Sequence, residues 1–304
     1  MFVKVFLKTI LTEHQFKILI RFKKGFTLFL TRLFLSLIKI LPVRLQLLIK
    51  SSVNVTKKLD FKKCDIFLNV ESHLEYTIRS FSCAKEPEMA NWFETFFREG
   101  DVFYDIGANV GPYSLVASKM FEGKIKVYAF EPGFPNFSQL SKNIFINNSQ
   151  ESVIPMQIAL SDQTRIGIFH YSNLIPGGAL HTLGEPIDYK GEVFKPIFKQ
   201  PIIAFRLDDF ITLFNIPTPN HIKIDVDGIE FKILRGAEQT LRGPTLRSLM
   251  VEIDEANPEA TKMIQFLYDQ GFSIQSQYKY VEGGHTGPAS KLFNYLFKKN
   301  MIVY

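Results

Sequence analysis

Cysteine is nearly absent. Two residues in 304, Cys64 and Cys83, are too few for a disulfide framework and lack metal-ligand spacing. They are expected as free, partly buried thiols, which suits a reducing compartment such as the cytoplasm. Internal repeats and low-complexity tracts are missing too, which excludes a solenoid or a repetitive disordered chain. Acidic residues are almost lacking from the first fifty positions, where Glu13 stands against ten Lys and Arg, a balance of +9. The whole chain carries +6, so residues 51–304 sum to −3. The basic character therefore belongs to the N-terminus, and no nucleic-acid partner is expected for a body without a positive surface.

Long unbroken apolar runs are also wanting. Residues 26–41 are strongly apolar, yet Arg32, Ser36 and Lys39 interrupt them. A spanning helix needs about 20 apolar residues, and each central Lys or Arg costs roughly 2.5–3.5 kcal/mol. A secretory signal needs one basic cluster, an uninterrupted apolar core and a small-residue cleavage site; here cations recur throughout. Arg32, Ser36 and Lys39 fall at i, i+4 and i+7, one face of a helix. Phe26, Phe29, Leu30, Leu33, Leu37 and Ile40 gather opposite. A basic amphipathic helix lying in an anionic membrane surface accounts for both faces. A helical cap packed on the body or a dimer mate, and a spanning helix, stay open as alternatives.

What the chain does have is apolar bulk: 46% hydrophobic and 14% aromatic, with 30 Phe. That composition belongs to a globular core, and the length allows one large core with an appendage. Residues 1–59 read as the N-terminal basic amphipathic helical segment and 60–304 as one domain. Runs at 65–70 and 76–81 read as short strands about a turn at Glu71-Ser72-His73. Residues 86–98 read as an amphipathic helix anchored by Trp92, Phe93, Phe96 and Phe97.

From Val102, strand patterns at 102–106, 125–130, 153–159, 221–226 and 247–253 alternate with helical ones at 112–121, 134–147, 228–241 and 257–270. Such alternation predicts an α/β domain, a mostly parallel sheet with helices on both faces. Segments near 272–281 and 292–298, with Tyr278, Tyr280 and Tyr295, add an antiparallel pair at its edge. The Gly/Pro-rich stretch 173–201 reads as an inserted loop of the kind that is usually functional.

The stretch DVFYDIGANVGPYSL, residues 101–115, delivers a glycine-rich turn from the end of a strand, where doubly wound folds bind ligands. Its spacing is D-x-G-x-x-x-G, with Asp105, Gly107 and Gly111 at the fixed positions. A dinucleotide site wants G-x-G-x-x-G for a pyrophosphate, which Asp105 would repel. A carboxylate there favours a cofactor with a cationic amine and sulfonium, such as S-adenosylmethionine. Glu131 ends the second strand, 24 residues past Gly107, where an acid can accept hydrogen bonds from ribose hydroxyls.

DVFYDIGANVGPYSL, AFEPGFPNFSQLSKNIFIN, IALSD, RLDDFI and HIKIDVDGIEFKILRGAEQTL occur in the order seen in FkbM-type S-adenosylmethionine-dependent methyltransferases, which the chain resembles over roughly residues 86–275. The resemblance implies a class I methyltransferase (Rossmann-like) fold and O-methylation of hydroxyls on sugars, glycans or other natural products. It implies that Asp105, Gly107, Asn109 and Gly111 hold the methionine part of the cofactor and Glu131 the ribose. Ser161 and Asp162 would lie beside the adenine. The family reads K-I-D-V-E-G where this chain has K-I-D-V-D-G, one methylene shorter at Asp227.

A sugar hydroxyl is a poor nucleophile while neutral, so a base or a metal must help remove its proton. In HIKIDVDGIE, alternation puts Lys223, Asp225 and Asp227 on one side of the fourth strand. Asp225 is the candidate base, and Lys223 either pairs with these acids or steadies an oxyanion. Asp227 is a substrate contact or a helix cap, and Glu230 a further contact or a favourable first-turn acid. His181, in the expected loop, is a second candidate base or sugar-binding group. Tyr171, Tyr189 and Phe194 either stack on a sugar face or pack the loop's underside. A divalent metal held by Asp225, Asp227, Glu252 and Asp254 is left open, with no metal site assigned.

The leading reading is an O-methyltransferase acting on a small-molecule, glycan or lipid-linked hydroxyl, peripheral on a membrane through residues 1–50. The alternatives are a methyltransferase for another acceptor such as nucleic acid, or an inactive membrane-associated binding protein. No N-P-P-Y-like motif for amino methylation occurs, which weighs against nucleic acid.

Overall fold

The structure, a computed structural model, describes residues 13–187, 191–279 and 291–300. The residues divide into two compact units, one ending at Asn54 and one beginning at Val55.

In the first unit, α1 (Glu13–Ile40) runs for 28 residues and α2 (Val43–Ser52) for ten. Pro42 separates them: it disfavours helix at Leu41 before it, and its fixed φ opens α2 as the cap residue. From Gly25 to Ser52 no side chain is buried. Among the described residues no helix is long and apolar enough to cross a membrane.

The second unit opens with the hairpin β1 (Thr56–Lys58) and β2 (Phe67–Asn69), then α3 (His73–Thr77), the turn α4 (Ser82–Lys85) and α5 (Pro87–Phe96). The strand expected at 76–81 is instead helical, α3 followed by a 3₁₀ turn at Arg79–Phe81. Ser72 and Glu75 form a capping box, each side chain taking the other's backbone N–H, and that start signal overrides the β-rich run behind it.

Strands and helices then alternate: β3 (Val102–Ile106), α6 (Pro112–Met120), β4 (Lys126–Phe130), α7 (Phe134–Ile146) and β5 (Val153–Met156). An excursion follows, comprising β6 (Ala159–Leu160), β7 (Arg165–Tyr171), β8 (Thr182–Leu183), β9 (Phe198–Phe205) and α8 (Leu207–Phe214). The chain returns through β10 (His221–Ile224), α9 (Glu230–Gly236), α10 (Glu238–Arg242), β11 (Ser248–Asp254), α11 (Ala260–Asp269), β12 (Phe272–Lys279) and β13 (Leu292–Lys299).

The main sheet has the order β5-β4-β3-β10-β11-β13-β12, with only β13 antiparallel to its neighbours. This is the class I methyltransferase arrangement, Rossmann-like with a reversed strand near one edge. The strand order turns back between β3 and β10, which fixes the crevice at their carboxyl ends. Two apolar clusters flank the sheet. Alternation sends Tyr104, Ile106, Ile222 and Ile224 to one face, against α8, α9 and α11. Phe103 goes to the other face, against Trp92 and Phe93 of α5 and Leu115 of α6. Asp105 and Lys223 share the α6 face by the same alternation.

The stretch 173–201 is not one loop. Thr182–Leu183 in its middle and Phe198–Pro201 at its end belong to a second sheet of order β6-β9-β7-β8, in which β7 and β9 pair antiparallel over seven residues, Ile168 opposite Pro201. The strand expected at 153–159 stops at Met156, and Ala159–Leu160 joins this second sheet beside β9. The single helix expected at 228–241 is two short ones. Gly236 sits where a Cβ would lie 2.0 Å from Ser161 O, so close backbone approach breaks the helix there. Tyr189 and Tyr280 lie outside the described residues.

Candidate active site

A cleft open to solvent lies beyond the carboxyl ends of β3, β4 and β10. Gly107, Asn109, Glu131, Asn136, His181, Asp225 and Asp227 border its polar side. Ile158, Leu160, Phe169, Leu183, Ile229 and Ile233 form an apolar slot.

The loop after β3 is held almost entirely by its own amides. Gly107 N and Ala108 N both donate to Phe130 O at 3.0 Å, and Gly111 N donates to Ala108 O at 2.8 Å. Asn109 N donates to Glu131 Oε2 at 2.9 Å, and Val110 N to Asn109 Oδ1 at 3.0 Å. Gly107 is obligatory: its φ is +83° and a Cβ would lie 1.9 Å from Asp225 O. Gly111, at φ +84°, starts α6 with Leu140 packed where a Cβ would go.

Glu131 is buried, 5% exposed, and its second oxygen accepts Gly133 N at 2.8 Å. Burial pushes its carboxyl up to about 7 against the pull of these two amides. Ser161 donates to Asp162 Oδ1 at 3.2 Å, and Asp162 pairs with Arg235 at 2.7 Å. Both follow Leu160, which lines the slot.

Asp105 does not line the cleft. It is 1% exposed, takes the Ser114 hydroxyl at 2.6 Å, and leaves Oδ1 without a hydrogen bond, 3.9 Å from Lys223 Nζ. Burial raises its carboxyl, partly offset by Lys223. Lys223, paired with Asp105 in the strand register, is equally buried and donates to Asp225 Oδ2 at 2.8 Å beneath the Tyr113 ring. Burial alone would lower its amine, but the charges of Asp225 and Asp105 raise it. Asp225 keeps 31% of its side chain exposed, toward the cleft. Burial is the largest influence and would raise its carboxyl; the Lys223 charge and hydrogen bond, with the charges of Lys85 and Arg79, together outweigh it and hold the carboxyl below the ordinary value.

Asp227 has φ +62° and accepts Leu180 N, itself at φ +64°, at 2.7 Å. Burial and the neighbouring Asp225 charge push its carboxyl up to about 6. Glu230 accepts Gly228 N at 3.0 Å, closing the turn into α9, and burial lifts it to about 7. His181 is 7% exposed; burial, then the Arg79 charge, drive its imidazole down to about 4. Its Nδ1 accepts Ser172 N at 3.3 Å, so in the neutral ring Nε2 carries the proton. Glu252 rises well above the usual range through burial and the charges of Asp225 and Asp227. Asp254 caps the following turn through Ala256 N at 2.9 Å. Among the described residues, no group of three or more His, Cys, Asp or Glu is placed to hold a metal ion.

Sequence reasoning expected Asn109 at the cofactor, and passed over both its part and the other side chains in strapping the segment after β7 across the cleft. Asn136 accepts Gly177 N at 2.9 Å and donates to Gly178 O at 3.1 Å. Asn109 donates to Gly178 O at 2.8 Å, Arg79 to Gly177 O at 2.9 Å and Ser72 to Pro176 O at 2.6 Å. A buried Asn two residues into a helix was the available signal at Asn136; Arg79 carried none, lying in a run with strand character. Tyr171 is fully buried against Phe134, Phe169 and Phe198.

Beside this geometry, a family model described as the methyltransferase FkbM domain matches residues 105–274. The chain belongs to the FkbM methyltransferase family. Among curated members, the hexuronic acid methyltransferase AglP of Haloferax volcanii is 27% identical over 155 residues, 51% of this chain and 56% of that protein. The 31-O-demethyl-FK506 methyltransferase FkbM of Streptomyces tacrolimicus is 26% identical over 198 residues, 59% of this chain and 75% of that one. A crystal structure of methyltransferase FkbM from Methylobacillus flagellatus aligns at 15% identity and TM-score 0.43, covering 66% of this chain and 44% of its own. The chain thus spans little more than half of the Haloferax protein and under half of the Methylobacillus chain.

Proposed function

We propose that the cleft holds S-adenosylmethionine and that the chain moves a methyl group to a hydroxyl oxygen of a sugar or other small molecule. One observation carries the cofactor reading. The amides from Gly107 to Gly111 are all engaged inside the protein, while Glu131, Asp225 and Asp227 border the cleft. Nothing in that loop is left to cradle a pyrophosphate, and the carboxylates favour a cationic guest. Glu131 suits ribose hydroxyls, because each oxygen accepts one amide and retains a lone pair. The apolar slot suits a flat base. When bound, the cofactor supplies an electrophilic methyl carbon on a sulfonium.

Asp225 is assigned to the acceptor proton. A hydroxyl turns strongly acidic only as its oxygen bonds to carbon, so a carboxylate already ionised at neutral pH can take the proton late. Lys223 keeps Asp225 ionised and fixes it through the 2.8 Å hydrogen bond; buried itself, it is a positioning residue. His181 offers a hydrogen bond to an acceptor oxygen rather than a base. The names of the Haloferax and Streptomyces relatives support an oxygen acceptor on a sugar or natural product. The test is Asp225→Asn, assayed on uronic acid and macrolide hydroxyls beside calorimetry with S-adenosylhomocysteine. Transfer should fall by about 10²–10⁴-fold with cofactor binding retained. Undiminished turnover removes Asp225 from the chemistry, and heat with NAD alone removes the methyl donor.

A further inference from the structure

Among the described residues, the unit ending at Asn54 carries large exposed apolar side chains. Phe29 is 61% exposed, Leu37 56% and Ile40 80%, and Leu47 and Leu48 of α2 are about as open. Soluble monomers rarely show so continuous an apolar stripe. Opposite it, Arg32 and Lys39 share a face of α1, and Arg44 and Lys50 add charge on α2. Two hydroxyls of α1 are satisfied within the helix: Thr31 donates to Thr27 O and Ser36 to Arg32 O, both at 2.9 Å.

We infer that α1 and α2 lie flat on an anionic lipid surface, cations toward the headgroups and the Phe/Leu stripe at the acyl boundary. The charge pattern selects this occupant. A second copy would bring another +9 segment against the first, whereas phosphate headgroups complement it. Spanning is disfavoured because cations recur along α1, and among the described residues no helix is apolar enough to cross. The inference stands apart from the methyl-transfer reading, since its test measures no activity.

Full-length protein is sedimented with vesicles of phosphatidylcholine alone and of phosphatidylcholine with phosphatidylglycerol. Binding is expected with the anionic vesicles and to weaken as salt rises. Arg32→Glu/Lys39→Glu/Arg44→Glu/Lys50→Glu should lower anionic-vesicle affinity by ~100-fold or more, each cation contributing on the order of five-fold. Leu33→Glu/Leu37→Glu should release the protein at every salt concentration, because it removes the apolar contact. All six side chains are exposed, and the emission of Trp92 reports that the body stays folded. Equal partitioning to both vesicle types, or no loss on charge reversal, overturns the inference. So does a lipid-free dimer that the leucine substitutions disperse.

Discussion

At the scale of single residues, the site sets several half-buried or buried carboxylates side by side at the edge of one cleft. Glu131 is the cleanest case, since it is not paired with a cation. Its carboxyl stands at about 7 in the fold and near 4.5 in the unfolded chain. A raised acid stabilises the fold fully below the unfolded value, and that contribution is lost as pH rises through the folded value. Over this window the ligand-free protein should lose roughly 3 kcal/mol from Glu131 alone, at 1.36 kcal/mol per unit. Glu131→Gln sets an NH₂ against one of the two backbone donors, a constant cost that does not vary with pH. Urea titrations at pH 5 and pH 8 should therefore show a steep loss in the native chain and a smaller one in the variant. Equal slopes would mean the carboxylate is already ionised at pH 5.

At the scale of elements, the decisive object is the strap from Pro176 to Leu180. It is gripped by the loop after β3, by α7, by Ser72, by the turn at Arg79 and by Asp227, so opening the cleft means undoing side-chain contacts from five places. Asn136→Ala removes the acceptor of Gly177 N and a donor to Gly178 O, worth about 1–3 kcal/mol at a buried site. Amide exchange should quicken at Gly177, and equally at Leu180, whose own acceptor Asp227 is untouched, if the strap lifts as one piece. Protection kept at Leu180 would show separate fastenings instead. The sequence disclosed the alternating strands, the reversed edge strand and the loop carrying Gly107 because each is a local pattern. It hid the strap's fastenings and the second sheet, since Asn136–Gly177 and β7–β9 depend on distant segments meeting. Proline and glycine around residues 173–201 signalled turns and masked the strand that starts at Phe198. Likewise Asp105 sat at the right strand end, but only the register opposite Lys223 shows it facing α6.

At the scale of the whole second unit, strands that end at the cleft begin at a buried polar network. Asp225 follows β10 at one end. His221 begins β10 at the other, ~13 Å away for a four-residue rise. There Ser248, His221 and Asp101 form a chain, 2.7 Å from Ser248 Oγ to Nδ1 and 3.0 Å from Nε2 to Asp101 Oδ2. The residue types are those of a nucleophilic triad, yet Ser248 and His221 are both 0% exposed, so no substrate can reach the hydroxyl. Burial, partly offset by Asp101, drives the imidazole down to about 4, which makes it a neutral bridge between strands. The chain's lone tryptophan, Trp92, donates to the same Ser248 Oγ at 2.8 Å. Ser248→Ala would strand the indole N–H and the imidazole together, at a cost of about 1–3 kcal/mol for each unmet buried group. The expected result is a lower urea midpoint by tryptophan emission with kcat/KM changed less than about two-fold, since nothing at the cleft moves. Asp225→Asn should give the opposite pair of readings. If Ser248→Ala instead cut turnover as deeply as Asp225→Asn, the two ends would be coupled through β10, and the amino-terminal network would have to be counted among the groups that position the base.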